Sequence, residues 1–253
     1  MPDKESATTS EQARRVREMF ATIAARYDLL NHLLSGNFDK RWRRTVAKTL
    51  SATLAKSDAR VLDVACGTGD LSLTLFESGE ARIIGIDFCR PMLDIAASKS
   101  RYSLPLVEGD AIDLPFADCS FEAATIAFGL RNLTSVDAGL RELLRVLKPG
   151  GRVAVLEFSK PRAPLLRSLF TVYFTRLLPL FGGLVSGSRS AYEYLPDSVS
   201  RFPDQEELAS LMKEAGFAEV DYQNLTGGIV ALHCGTRPHR DSRDWLQTNT
   251  LQP

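Results

Sequence analysis

The sequence predicts an α/β fold on a largely parallel sheet, and three observations predict it. Residues 60–87 read as strand, glycine-bearing turn, short helix and strand. Apolar strands at 104–107, 121–128 and 152–158 then alternate with amphipathic helices. Two closing strands, 217–225 and 228–235, meet at a hairpin-like Thr226-Gly227-Gly228 turn. A strand–helix–strand repeat implies right-handed crossovers and parallel pairing. The 253 residues suit one large domain, or one domain with an appended lobe. With 25% charged and 44% hydrophobic residues the composition is that of a soluble globular chain.

A formal net charge of +0 gives no support to a nucleic-acid partner. Cys66, Cys89, Cys119 and Cys234 show no metal-ligand spacing, so they read as free thiols in a reducing cytoplasm and no metal is expected. The N-terminal stretch is polar and charged, without an apolar signal segment.

Residues 1–10 read as disordered, and a helix is expected from Ser10-Glu11 onward, with Val16, Met19, Phe20 and Ile23 at helical spacing. Residues 11–50 form a helical cap in this reading, with Tyr27, Asp28 and Asn31 near a substrate; the plainer reading is an amphipathic docking helix with a solvated basic face at Arg41-Trp42-Arg43-Arg44. That basic run also suits an anionic membrane surface.

Val61 to Ala65 is a buried strand interrupted by Asp63. The Cys66-Gly67-Thr68-Gly69-Asp70 turn follows, and Leu71, Leu75 and Phe76 give the next segment one apolar face. A tight turn with two glycines brings backbone N–H groups and a helix N-terminus close to an anionic group. Asp87, ending the second strand Ile83 to Ile86, can accept hydrogen bonds from ribose hydroxyls. A ribose-bearing cofactor is therefore expected. The dinucleotide fingerprint wants a third glycine where this chain has Ser72, which weakens a nicotinamide reading. S-adenosylmethionine is the alternative, its carboxylate over the turn and its ribose at Asp87.

Pro91 suits the first turn of the next helix. The Glu108-Gly109-Asp110-Ala111 loop opens at the same sheet edge and offers a carboxylate to an exocyclic adenine amine, or merely caps its own turn. Arg131 and Asn132 follow the fourth strand, where α/β enzymes place their sites. Val136, Leu140, Leu143, Leu144 and Leu147 make an amphipathic helix that stops at a sharp Lys148-Pro149-Gly150-Gly151 turn before the fifth strand, 152–158.

Residues 161–185 are greasy, but Arg167, Arg176 and Pro179 keep any run below the roughly 20 apolar residues of a spanning helix. Residues 161–200 read as an insertion: a buried helix, a lid for a greasy substrate, or a helix lying on a membrane. Asp204 and Glu207 have capping-box spacing for a helix that stops at Gly216. Residues 238–253 read as a loose tail.

These residues carry a resemblance. Arg145 to Gly151 through Leu156-Glu157-Phe158-Ser159 matches the second signature of the UbiE/COQ5 group of class I methyltransferases, which C-methylate quinone precursors. Tyr27-Asp28 through Asn31, Ser35 and Trp42 resembles the first, with Leu30 where methionine is usual and Asp39 where histidine is usual. Phe128 to Asn132, Tyr192 to Leu195, Phe202 to Gln205 and Ala231-Leu232-His233 also fit, so the likeness covers residues 11–237. It implies a class I, Rossmann-like, seven-stranded sheet with the last strand antiparallel, an N-terminal helical cap and a helical insertion after strand 5. It implies S-adenosyl-L-methionine as donor, with Thr68, Asp87, Asp110 and Ala111 as binding positions; Asp63, Gly67, Gly69 and Ala127 are further candidates around the same turn and strand ends. A serine usually stands where this chain has Ala127.

The implied acceptor is a polyprenylated quinol, either a demethylmenaquinol or a methoxybenzoquinol. Its ring carbon attacks the sulfonium methyl once the neighbouring phenol is deprotonated. In that chemistry Arg131 stabilises the phenolate, Asn132 and Tyr192 orient oxygens, and His233 or Asp28 takes the proton. A homodimer and a peripheral membrane contact stay open. Two other classes compete: a nicotinamide-dependent reductase, and a partner in quinone biosynthesis that binds S-adenosylmethionine without catalysis.

Overall fold

The computed structural model describes residues 4–164 and 189–239, together with 168, 170 and 172; no side chain is described for 4–10, 12, 30, 34 and 189–193. Most of the greasy 165–188 stretch, and 240–253 of the expected tail, lie outside the described residues.

The chain opens with α1 (Lys4–Leu34), α2 (Phe38–Thr49) and α3 (Ser51–Leu54). Residues 4–10, expected to be disordered, are the start of α1. The apolar stripe that marked this helix begins only at Val16. Around that point Glu11, Arg14, Arg15 and Glu18 pair at i,i+3 and i,i+4 spacing, which supports a helix without a buried face.

Then come β1 (Arg60–Val64), α4 (Asp70–Phe76), β2 (Arg82–Asp87), α5 (Arg90–Lys99), β3 (Leu106–Glu108), β4 (Phe121–Ala127), a 3₁₀ turn at Leu130–Asn132, α6 (Val136–Val146) and β5 (Leu147–Phe158). After the insertion follow α7 (Arg189–Arg201), α8 (Gln205–Glu214), β6 (Ala218–Leu225) and β7 (Val230–Thr236). The Asp204 capping box is formed on α8. β5 starts earlier than expected: Leu147 pairs with Phe121, the register then shifts, and Arg152 pairs with Ala123. The Pro149-Gly150-Gly151 turn is thus an irregularity within one strand, with Gly150 at φ +77°.

The seven strands lie in the order β3-β2-β1-β4-β5-β7-β6. All pairs are parallel except those of β7, which runs antiparallel to both β5 and β6. β1 therefore sits at the switch point, with the chain winding one way to β2 and the other way to β4. Ligands bind α/β sheets at the carboxyl edge beside such a point.

Two apolar layers hold the sheet. Trp42, Val46, Leu50 and Leu54 of α2 and α3, with Leu71 and Leu75 of α4, cover one face. Leu140 and Leu143 of α6, with Leu208 and Met212 of α8, cover the other. A smaller cluster of Ala24, Cys89 and Met92 seats α1 against α5, over the carboxyl edge.

Candidate active site

The switch point forces backbone strain. Ala65 (φ +51°) and Phe128 (φ +57°), the residues just beyond β1 and β4, both lie in the left-handed region. Gly129 is required between them, because a Cβ there would come within 2.5 Å of the Ala65 Cβ. Gly69 starts α4 at φ +80° with Ala96 directly behind it, whereas a Cβ on Gly67 would meet no atom within 4 Å. The Gly67 Cα thus faces open space, while its N–H is taken by Asp87.

A cavity opens here, beneath α1. Its lining mixes polar residues, Gly67, Asp87 and Asp110, with aromatic and apolar ones, Phe20, Tyr27, Phe128 and Leu133. Ala111, Ala127 and Asn132 also line it. A smaller cavity beside it is lined by Tyr27, Asn31, Asp63, Thr68 and Ala127, among others.

Of the expected binding positions, all but Gly69 line one or other of these cavities. Asp87 accepts the Gly67 N–H and the Cys89 N–H, each at 2.8 Å, and burial pushes its carboxyl up. Asp110 accepts the Ile112 N–H at 3.1 Å, so it caps its own turn while facing the cavity. Asp63 lies under the turn, fully buried, and accepts the hydroxyls of Ser72 (2.5 Å) and Thr125 (2.8 Å). Burial lifts its carboxyl to about 6, against those two bonds. Ser72 is therefore a donor in its own right, not merely an absent glycine.

A network the sequence reading did not foresee surrounds Thr68. Its hydroxyl donates to Asp28 at 2.5 Å. Lys99 pairs with Asp28 at 2.8 Å and also with Asp70. Arg43 reaches Asp70 at 3.0 Å and Asp39 at 2.8 Å. Asp39 also contacts His32 and Ser35. Burial acts to raise the Asp39 pKa, but the Ser35 bond and the Arg43 and His32 charges hold it below the usual range. Arg43, expected on a solvated face, is thus buried. His32, Asp39 and Asp70 come within 4.8 Å of one another, but Arg43 already occupies the space between the two carboxylates.

Beyond this network, the Asn132 amide donates to Phe128 O at 3.2 Å and its oxygen accepts the Tyr194 hydroxyl at 3.1 Å. Burial raises the Tyr194 pKa. The Tyr27 hydroxyl is hydrogen-bonded to Asn31, and its pKa too is raised by burial. Arg131 sits behind this wall and lines neither cavity. Its Nη1 bonds Glu157 at 2.7 Å and Phe128 O at 2.5 Å, its guanidinium lies 5.3 Å from the Phe158 ring centre, and its Nε is buried without a partner.

His233 does not join the site. It is buried on β7, its Nε2 bonded to Gln205 O at 2.9 Å, and burial lowers its pKa. It lines neither cavity, so the proton-accepting role expected for it has no support in the geometry. The side chain of Tyr192 lies outside the described residues; Tyr194, two residues on, makes the contact with Asn132.

The sheet order, strained switch point and glycine turn define a class I S-adenosylmethionine-dependent methyltransferase. Similar folds occur in a SAM-dependent methyltransferase from Thermotoga maritima (TM-score 0.59, 21% identity, covering 88% of this chain and 99% of that one). Another is phosphoethanolamine N-methyltransferase 2 of Haemonchus contortus with S-adenosyl-L-methionine (TM-score 0.55, 16% identity, 73% of this chain and 50% of that one). The sequence profile of the ubiE/COQ5 methyltransferase family matches residues 7–237, and the chain belongs to that family. It is 49% identical to a demethylmenaquinone methyltransferase of Thermus thermophilus over 224 residues, 87% of this chain and all of that protein. It is 45% identical to the demethylmenaquinone methyltransferase of Corynebacterium kroppenstedtii over 92% of this chain and 98% of that protein. It is likewise 45% identical to the ubiquinone/menaquinone biosynthesis C-methyltransferase of Pseudomonas paraeruginosa over 90% of this chain and 91% of that protein.

Proposed function

We propose that this enzyme transfers the methyl group of S-adenosylmethionine to a ring carbon of a polyprenylated quinol, demethylmenaquinol or its methoxybenzoquinol counterpart. The observation that supports this reading best is the mixed lining of the two adjoining cavities. Their polar residues suit the donor, with Asp87 for the ribose, Asp110 and Ala111 for the adenine, and Gly67 and Thr68, beside Gly69, for the amino-acid portion. Their aromatic residues suit a flat ring.

A phenol of ordinary pKa about 10 must become phenolate before its neighbouring carbon attacks. Tyr27 and Asn132 orient the ring oxygens. Arg131 stands behind the cavity wall, its guanidinium held by Glu157 and Phe128, so it favours a phenolate through its charge and not by contact. Asp28 lines neither cavity but is bonded to Thr68, which does, and is also paired with Lys99; of the two expected bases it lies nearer, and it takes the proton through a water. Holding ring carbon and methyl in line supplies much of the remaining acceleration.

The test is methyl transfer from labelled S-adenosylmethionine to both reduced acceptors in parallel. Transfer to either supports the reaction, and the ratio assigns the ring. No transfer to either, with tight donor binding, overturns it and leaves a non-catalytic binding role. Arg131→Ala should cut turnover with little change in donor affinity; near-normal turnover would remove Arg131 from the mechanism. A prenyl tail keeps the acceptor in a bilayer, so the reading places the enzyme in the cytoplasm at the inner membrane face.

A further inference from the structure

We propose that the outer face of α1 and α2 docks on an anionic lipid bilayer. The proposal rests on the reading that the acceptor carries a prenyl tail. Residues 19–57 hold seven lysines and arginines against two acids, a net of +5, in a chain whose total is +0. Both acids point inward: Asp39 is buried against Arg43, and Asp28 is tied to Thr68 and Lys99. Lys40, Arg41, Arg44 and Lys48 remain exposed, and among the described residues none of the four forms a salt bridge. Arg41, Arg44 and Lys48 recur at helical spacing along one side of α2.

Within this basic field lie three large apolar side chains. Leu29 is 61% exposed, Leu33 59% and Phe38 41%. Leu29 and Leu33 are one turn apart on α1. The Leu33 carbonyl accepts the Gly36 N–H, and the Phe38 ring lies 3.8 Å from where a Gly36 Cβ would be, so the ring covers the turn beside Leu33. The Arg41 guanidinium stands 5.8 Å from that ring centre. Single exposed leucines are ordinary. Three exposed apolar side chains on adjoining helices, one of them under the Arg41 guanidinium, together with the exposed cations of α2 are what a lipid surface with negative headgroups recognises.

The face is also firm. Trp42 beneath it donates to Thr226 at 2.8 Å, fixing α2 to the β6–β7 turn. No described helix is long and apolar enough to cross a membrane, so the contact is with the surface. Because α1 roofs the cavity, docking this face sets the roof of the site against the bilayer that holds the acceptor.

The experiment is co-sedimentation of the full chain with vesicles of phosphatidylcholine alone or doped with phosphatidylglycerol, at low and high salt. Binding to the anionic vesicles only, weakened by salt, is expected. Arg41→Gln with Arg44→Gln should lower partitioning about 30-fold, from about 1 kcal/mol per basic residue. Leu29→Ser with Leu33→Ser should lower it about tenfold, with the melting temperature unchanged in both. Equal binding to neutral and anionic vesicles, or no effect of either pair, overturns the proposal. Loss of a concentration-dependent dimer in the variants, with vesicle binding intact, also overturns it and assigns the face to a second copy. Turnover of a soluble, tail-less quinol should stay at the wild-type level in both variants. If the wild type turns over no quinol, the functional reading fails, and the vesicle result still decides the surface.

Discussion

Among the residues proposed for the donor, Asp87 takes its hydrogen bonds from Cys89, 2 residues away, and Gly67, 20 residues away. Among those proposed for the acceptor, Asn132 meets Tyr194 across 62 residues, and Arg131 meets Glu157 across 26. The donor end is centred on one strand–turn–helix–strand unit. The acceptor end is assembled by side chains from the turn after β4, from β5 and from α7, and roofed by α1. A single local unit leaves a short sequence pattern; side-chain assembly leaves residues scattered along the chain. The two ends should also fail differently when mutated.

The largest effect is expected at the acceptor end. Glu157→Ala leaves the Arg131 charge buried without its partner, and loss of one member of a buried pair costs about 3–5 kcal/mol. Urea denaturation should show that loss; a change below about 1 kcal/mol would mean water reaches the pair freely.

The donor end should respond to pH. The folded-state pKa of Asp63, about 6, lies above its ordinary 3.8, so the native state binds this proton more readily than the unfolded chain. Its contribution to stability is therefore most favourable below about pH 4 and is lost as pH rises through 6. The stability of the wild type relative to Asp63→Asn should fall by up to about 3 kcal/mol between pH 4 and pH 7, read by denaturation of both proteins at each pH. A difference that stays flat with pH would show a carboxylate already satisfied by Ser72 and Thr125.

The smallest effect is expected at the Tyr194–Asn132 bond. Tyr194→Phe removes one neutral hydrogen bond of about 1 kcal/mol, so turnover should drop about fivefold with donor affinity unchanged. A change in donor affinity instead would mean that the two ends are coupled through the Phe128–Asn132 segment.

Much of this was legible in the sequence, and the reason is local. The glycine turn, Asp87, the Asp110 loop and the capping box at Asp204 each follow from short-range rules about backbone conformation and exposed N–H groups. Three other features were not legible. Arg43 read as part of a solvated basic run, yet it is buried between Asp39 and Asp70, because only folding brings α2 against α4. Ser72 read as a missing glycine and proved to be a donor to Asp63. His233 read as a base because histidines are few, yet β7 carries it to the side of the sheet packed against α8, away from the cavity.

By itself the sequence determined the alternation of strands and helices, the family and the glycine turn with its terminal acid, since periodicity and turn chemistry act over a few residues. Only the tertiary structure decided which charges are paired and which are free. Long side chains such as Arg43, Lys99 and Arg131 take their partners from elements far away in the chain, and burial then fixes both the energy of each pair and the role left for it.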